Sequence, residues 1–159
     1  MILIQDNFLS TAECNKLLRL YKKNKNLMRK WPEWDPGPCS YLMSITEASD
    51  PFIMKMVLRI EAYAQTYFDP DLKIDWAELK KQQKGSHHQF HYDNASKRTC
   101  LASITYLNTL SSGRTVFKDG LEIEPRAGRS IWFDGKLYFH GVSKTDEDRY
   151  TIPCWYYKS

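Results

Sequence analysis

After residue 72 the hydrophobic pattern of the chain shortens and never lengthens again. Segments 72–81, 86–92, 99–108, 114–118, 121–125, 129–133, 137–143 and 149–157 are rich in β-branched or aromatic residues, the composition that suits a pleated, half-buried surface. Turn residues separate most of them: Lys84-Gly85, Asn94-Ala95-Ser96, Ser111-Ser112-Gly113, Asp119-Gly120, Ala127-Gly128 and Asp134-Gly135. Short segments with this punctuation predict about eight antiparallel strands, and strands that follow two helices predict an α+β chain. Its helices are expected to pack on one sheet of a double-sheet jelly roll.

The N-terminal part carries the helical signals. Residues 2–8 read as a short strand, after which Ser10-Thr11-Ala12-Glu13 forms a capping box. Cys14, Leu17, Leu18 and Tyr21 follow at helical spacing, and Lys22 and Lys23 sit where cations complement the helix dipole. From Lys30 to Pro38 three prolines and a glycine predict an irregular loop, whose Trp31 and Trp34 either cover the core edge or close over a cleft. A strand is expected at 41–45. Asp50-Pro51 then supplies an N-cap and a first-turn proline. Phe52, Ile53, Met56, Val57, Ile60, Ala64 and Tyr67 recur at steps of three and four, predicting a second amphipathic helix ended by Phe68-Asp69-Pro70-Asp71.

A chain of 159 residues is expected to form a single domain, residues 1–159. Its 42% hydrophobic and 26% charged residues fit a globular protein, and ten Tyr, seven Phe and five Trp suit a β-rich core around a lined pocket. The net charge of +4 comes with lysine clusters at 22–30 and 80–84, which read as solvated surface before they read as a nucleic-acid footprint. The opening Met-Ile-Leu-Ile-Gln-Asp-Asn-Phe has no basic stretch and no long apolar run, and no segment approaches the roughly 18 apolar residues of a span. No membrane association is expected. Cys14, Cys39, Cys100 and Cys154 form no Cys-x-x-Cys pair, so free thiols and a cytoplasmic location are expected.

Three of the four histidines fall in His87-His88-Gln89-Phe90-His91, just before Tyr92-Asp93. His91-x-Asp93 alone carries little weight, but His140 lies 47 residues beyond Asp93 in another strand-like segment. Two imidazoles and a carboxylate make a facial metal triad, which leaves three adjacent positions open; a structural zinc site would close its shell, typically with sulfur. Two open positions suit a chelating 2-oxo acid and the third suits O2. Arg149 follows His140 by nine residues. On an extended strand Arg149, Thr151 and Pro153 share one face, away from Tyr150, Ile152 and Cys154. A guanidinium on an inward face offers the bidentate grip that a buried carboxylate needs.

Taken in order, His91-Tyr92-Asp93-Asn94, Arg98, Ile104-Thr105-Tyr106-Leu107-Asn108, Ser112-Gly113-Arg114-Thr115-Val116-Phe117, Glu124-Pro125-Arg126-Ala127-Gly128-Arg129, Phe133, His140-Gly141-Val142, Arg149-Tyr150 and Trp155 resemble the prolyl 4-hydroxylase-like family of 2-oxoglutarate- and Fe(II)-dependent oxygenases. Phe8-Leu9-Ser10 with Glu13-Cys14 resembles the family's opening, so the likeness spans nearly the whole chain. It implies a double-stranded β-helix, with Fe(II) held by His91, Asp93 and His140 and with 2-oxoglutarate and O2 as co-substrates. It further implies that Arg149 pairs with the distal carboxylate of 2-oxoglutarate, that Tyr106 donates to the same end, and that Thr151 lies beside them. Asp93, where a halogenating relative would have a small residue, implies hydroxylation.

Three departures stand out. Lys80, Lys81 and Gln82 occupy the place of a tyrosine common in relatives, leaving its co-substrate contact missing or taken over by Gln82; Ser112 replaces a turn glycine, and Asp148 replaces the glycine before Arg149. Of His87 and His88, at most one shares the face of His91, and both read as surface or substrate rim. A peptidyl side chain such as proline is the favoured substrate. Nucleic acid is the second reading, weakened because position 155 is Trp where the demethylase branch has a second arginine. A metal-binding jelly roll without activity is the third. Substrate identity and oligomeric state are not legible here.

Overall fold

The computed structural model describes residues 1–45 and 50–159. Its elements in chain order are β1 (Leu3–Gln5), α1 (Thr11–Lys23), β2 (Arg29–Trp31), β3 (Ser40–Ser44), α2 (Pro51–Tyr67), β4 (Leu72–Gln82), β5 (His88–His91), β6 (Leu101–Tyr106), β7 (Thr115–Phe117), β8 (Glu122–Ile123), β9 (Ser130–Phe133), β10 (His140–Val142) and β11 (Arg149–Lys158). Eight strands follow residue 72, as the segment count predicts. They form two antiparallel sheets, β1-β9-β6-β11-β4-β3-β2 and β5-β10-β7-β8. The architecture is a jelly roll with both helices against the larger sheet.

Local chemistry starts both helices. The Ser10 hydroxyl accepts from the Glu13 amide at 3.1 Å while the Glu13 carboxylate accepts from the Ser10 amide at 2.9 Å, closing the capping box. Asp50 accepts from the amides of Phe52 and Ile53 ahead of Pro51. Cys14, Leu17, Tyr21, Ile53, Met56, Ile60 and Ala64 then pack against Ala77, Leu79, Trp132, Ile152, Cys154 and Tyr156 of the large sheet. The opposite face of that sheet contributes Ala102, Tyr106, Ile131 and Phe133 to a second core, closed by Phe117 and Ile123 from the small sheet. The odd-even alternation along β9 and β11 thus assigns one set of side chains to the helices and the other to the space between the sheets. Among the described residues no helix is long and apolar enough to cross a membrane.

Several segments are shorter than their patterns suggest. The strand expected over 2–8 ends at Gln5, because Asn7 turns the backbone into the left-handed region at φ 55°. Phe8 and Leu9 instead donate to the Gly128 carbonyl at 2.8 and 3.1 Å, and a β-carbon on Gly128, whose φ is +85°, would stand 2.1 Å from the Leu9 oxygen. The segment expected over 137–143 pairs only from His140, since the amides of Leu137 and Tyr138 turn back to the Asp134 carbonyl. In 121–125 the ladder is two residues long and stops short of Pro125, which has no amide to donate. The proline-rich loop begins inside the edge strand β2, whose pairing with β3 carries Lys30 and Trp31 into the sheet.

Candidate active site

The register of the small sheet builds the centre of the site. His140 of β10 lies directly opposite His91 of β5, so their rings stand 4.5 Å apart. Asp93 follows β5 by two residues and is held by its amide, which donates to the Gly135 carbonyl at 2.8 Å. One ligand atom from each of His91, Asp93 and His140 lies within 4.8 Å of the other two. Asp93 Oδ1 is 3.4 Å from His91 Nε2 and 3.6 Å from His140 Nε2.

Two backbone carbonyls decide which nitrogen of each ring faces that point. His91 Nδ1 lies 2.8 Å from the Gln89 oxygen and His140 Nδ1 lies 2.7 Å from the Tyr138 oxygen. A carbonyl only accepts, so each Nδ1 donates to it, and a neutral ring then presents its Nε2 lone pair toward Asp93. With both rings neutral, three electron donors converge. Asp93 Oδ2 is buried and has no hydrogen-bond partner among the described residues. Such an arrangement is costly unless a cation sits among the donors, and its two imidazoles and one carboxylate fit a divalent metal with one open face. Asp93 raises the pKa of His91, whereas burial lowers that of the more deeply set His140.

Gly135 sets the depth of the carboxylate. A β-carbon there would stand 1.8 Å from Asp93 Oδ2, so Gly135→Ala must displace Asp93. A shift of that kind resembles the loss of a ligand's supporting partner, which typically costs 10- to 100-fold in metal affinity. We expect Gly135→Ala to bind Mn(II) about 10- to 100-fold more weakly in a calorimetric titration; unchanged affinity would mean that Asp93 is not a ligand.

Beyond the triad a narrow inner cavity of about 60 Å³ runs to Arg149. Arg149 is 3% exposed and its nitrogens donate to three neutral acceptors: the Gly113 carbonyl at 2.8 Å, Gln82 Oε1 at 3.3 Å and Thr115 Oγ1 at 3.2 Å. It has no carboxylate partner among the described residues, and burial lowers its pKa. Thr151 and Pro153 line the same cavity, as their shared strand face requires. Tyr106 does not line it. Its ring lies 5.3 Å from the guanidinium, and its hydroxyl is 2.5 Å from Thr115 Oγ1.

The inner cavity opens into an outer cleft of about 590 Å³. Trp31, Trp76, Tyr92 and Trp155 give it aromatic walls, and Arg29, Lys30, Glu33, Asp75 and Glu78 give it charges of both signs. Trp31 is 63% and Trp34 83% exposed, so neither packs over the core edge; Trp31 belongs to the cleft wall and Trp34 to the surface nearby. His88 stacks on His91 at 4.3 Å and joins both cavities. A bulge places it there, because His91 and His88 span three residues where their partners His140 and Val142 span two. Thr115, which joins Tyr106 to Arg149, lay within the Arg114–Phe117 motif without a role of its own in the sequence reading.

The model of the 2OG-Fe(II) oxygenase superfamily matches residues 77–157, just over half of the chain. No curated protein matches the chain in sequence. Among solved structures, a viral collagen prolyl hydroxylase from Paramecium bursaria Chlorella virus-1, in complex with 2-oxoglutarate, superposes with a TM-score of 0.77 at 19% identity, covering 99% of this chain and 96% of that one. A prolyl hydroxylase from Trichoplax adhaerens, in complex with a hypoxia inducible factor peptide fragment, gives 0.79 at 16% identity over 99% and 83% of the two chains. The non-haem epimerase SnoN from nogalamycin biosynthesis gives 0.83 at 14% identity over 99% and 77%. These likenesses establish the fold that the three proteins share, a double-stranded β-helix. With the family model matched across the strands that carry the site, the chain belongs to the 2OG-Fe(II) oxygenase superfamily, and its cofactor is Fe(II) with 2-oxoglutarate and O2 as co-substrates.

Proposed function

We propose that the chain is a 2-oxoglutarate-dependent hydroxylase of a protein or peptide side chain, with His91, Asp93 and His140 as its iron ligands. The observation that carries this reading is the convergence of two Nε2 lone pairs on the Asp93 carboxylate at the junction of a narrow cationic cavity and a wide aromatic cleft. When bound there, Fe(II) supplies O2 activation coupled to decarboxylation, so that R–H, 2-oxoglutarate and O2 become R–OH, succinate and CO2.

Each residue has a defined task in this reading. Arg149 binds the distal carboxylate of 2-oxoglutarate from the floor of the inner cavity, and Thr115 and Tyr106 hold the guanidinium in place. Thr151 lines the wall beside it. The Gln89 and Tyr138 carbonyls keep both Nε2 atoms deprotonated toward the metal. Phe133 packs edge-on against His140 at 4.7 Å and keeps water from that side of the ring.

The outer cleft supports a polypeptide substrate. It is wide, open and lined by aromatic faces that suit an extended segment. Two neighbours of the same fold are named as prolyl hydroxylases, one of them crystallised with a peptide, which makes proline a first candidate residue. The cleft mixes Glu33, Asp75 and Glu78 with Arg29 and Lys30, so it lacks the single-sign basic surface that suits a phosphate backbone.

Anaerobic titration of Fe(II) and then 2-oxoglutarate into metal-free protein tests the reading. A visible metal-to-ligand charge-transfer band is expected, and His140→Ala is expected to remove it. Folded, iron-loaded protein without a band would mean that the keto acid does not chelate, leaving a metal-binding module in place of an enzyme.

A further inference from the structure

The inward face of β4 carries Trp76, Glu78, Lys80 and Gln82 in a row, at intervals of about 6.6–6.8 Å along the strand. Across the β4–β11 ladder Gln82 lies opposite Arg149, and Lys80 lies opposite Thr151. Lys80 lines both the inner cavity and the outer cleft, in company with His88, His91 and Asp93. Lys80 thus lies where the two spaces meet, one inward-facing position along the ladder from the Gln82–Arg149 pair.

Among the described residues the Lys80 side chain makes no ion pair and no hydrogen bond. Glu78 attracts it only from a distance and accepts instead from the Trp76 indole at 2.9 Å. Burial lowers the Lys80 pKa, and its charge reaches both His88 and His91. Gln82 adds a second unmatched donor, since its Nε2 is buried without a partner. Arg149 meets only neutral acceptors. One wall of the cavity therefore holds a buried guanidinium, a half-buried ammonium and an orphan amide with no anion between them, an arrangement that a ligand bringing negative charge would stabilise. A ligand with a carboxylate at each end brings two such charges.

We propose that Lys80 is a second anion-binding group of the co-substrate cavity, contacting the carboxylate at the keto end of 2-oxoglutarate while Arg149 holds the other end. The proposal rests on the co-substrate reading above. It assigns the two cations to opposite ends of one dianion, so the keto group is delivered toward the triad in a single orientation. It also accounts for a lysine where relatives carry a tyrosine: an ammonium compensates a carboxylate charge that a neutral phenol can only solvate.

Equilibrium binding to the Fe(II)-loaded protein without O2 tests it, with 2-oxoglutarate and 2-oxopentanoate as probes. 2-Oxopentanoate keeps the keto-acid end and lacks the second carboxylate. Lys80→Met is expected to weaken both ligands by about tenfold or more, the scale of a charge-assisted contact, and to leave the affinity for Fe(II) alone unchanged. Lys80→Arg, which keeps the charge, should stay within about threefold of the parent for both. Arg149→Met should weaken 2-oxoglutarate alone. Parent-like binding of both probes to Lys80→Met would overturn the assignment, and weakening of 2-oxoglutarate only would move Lys80 to the distal end. Loss of Fe(II) affinity in Lys80→Met would make it a support of the ligand set, which also overturns it. If the unmodified Fe(II)-loaded chain binds neither probe, the co-substrate reading fails first and takes the Lys80 assignment with it.

Discussion

Asp93→Ala is expected to abolish 2-oxoglutarate turnover while leaving the metal-free protein at least as stable as its parent. Asp93 is the carboxylate on which both Nε2 atoms converge, at 3.4 and 3.6 Å, and it is the only anionic donor of the cluster. Disturbing a ligand's supporting partner costs 10- to 100-fold in affinity or activity, so removal of the ligand itself should exceed about 100-fold. Stability moves the other way for a physical reason. Asp93 is 9% exposed and its Oδ2 has no hydrogen-bond partner among the described residues. A buried carboxylate in that state opposes folding until a cation joins it, and alanine removes the penalty. The parent should therefore gain melting temperature with Mn(II), as a ligand of the native state requires, and Asp93→Ala should not. Calorimetric melting with and without Mn(II), alongside succinate release, reads both effects. Full turnover in the variant would remove Asp93 from the proposed ligand set.

How much of this was legible in the sequence depends on the range of the interactions involved. Ser10 with Glu13, and Asp50 with Pro51, mark helix starts because their partners lie within three residues. Arg149, Thr151 and Pro153 share the cavity because strand parity is local arithmetic. Parity failed where the backbone departs from a regular ladder. Alternation places His87 on the face of His91, yet the bulge in β5 brings His88 there, and that bulge depends on pairing with β10 about 50 residues away. The close approach of Gly135 to Asp93 was invisible for the same reason, since a glycine in a turn looks alike whether or not a carboxylate presses on it. The Tyr106 hydroxyl is engaged by Thr115 from the facing sheet, a contact that exists only once the two sheets have packed. Lys80 read as one member of a basic cluster. The β4 register turns it inward, whereas Lys84 lies beyond the end of the strand and is exposed.

Arg149→Met is expected to raise the dissociation constant for 2-oxoglutarate by on the order of 100-fold while leaving Fe(II) or Mn(II) affinity unchanged. Arg149 is buried, and Gly113, Gln82 and Thr115 satisfy its nitrogens with neutral oxygens that leave its charge unmatched. Truncating one partner of a buried charged contact costs about 2–5 kcal/mol, and every 1.4 kcal/mol is tenfold in affinity. Methionine keeps most of the volume, so a packing loss does not account for an effect of that size. The stability of the ligand-free variant should change little, because methionine removes an uncompensated buried cation at the same time as it strips partners from three oxygens. The contrast appears on ligand addition. At 100 times its dissociation constant a ligand stabilises the parent by about 2.7 kcal/mol, and the same 2-oxoglutarate concentration should stabilise Arg149→Met by less than about 0.5 kcal/mol. Arg149→Lys should recover part of the difference, since a lysine supplies the charge without the planar pair of donors. A methionine variant with parent-like stabilisation by 2-oxoglutarate would place the distal carboxylate elsewhere, and the inner cavity would then need another ligand to explain why Arg149 and Lys80 face it with no anion between them.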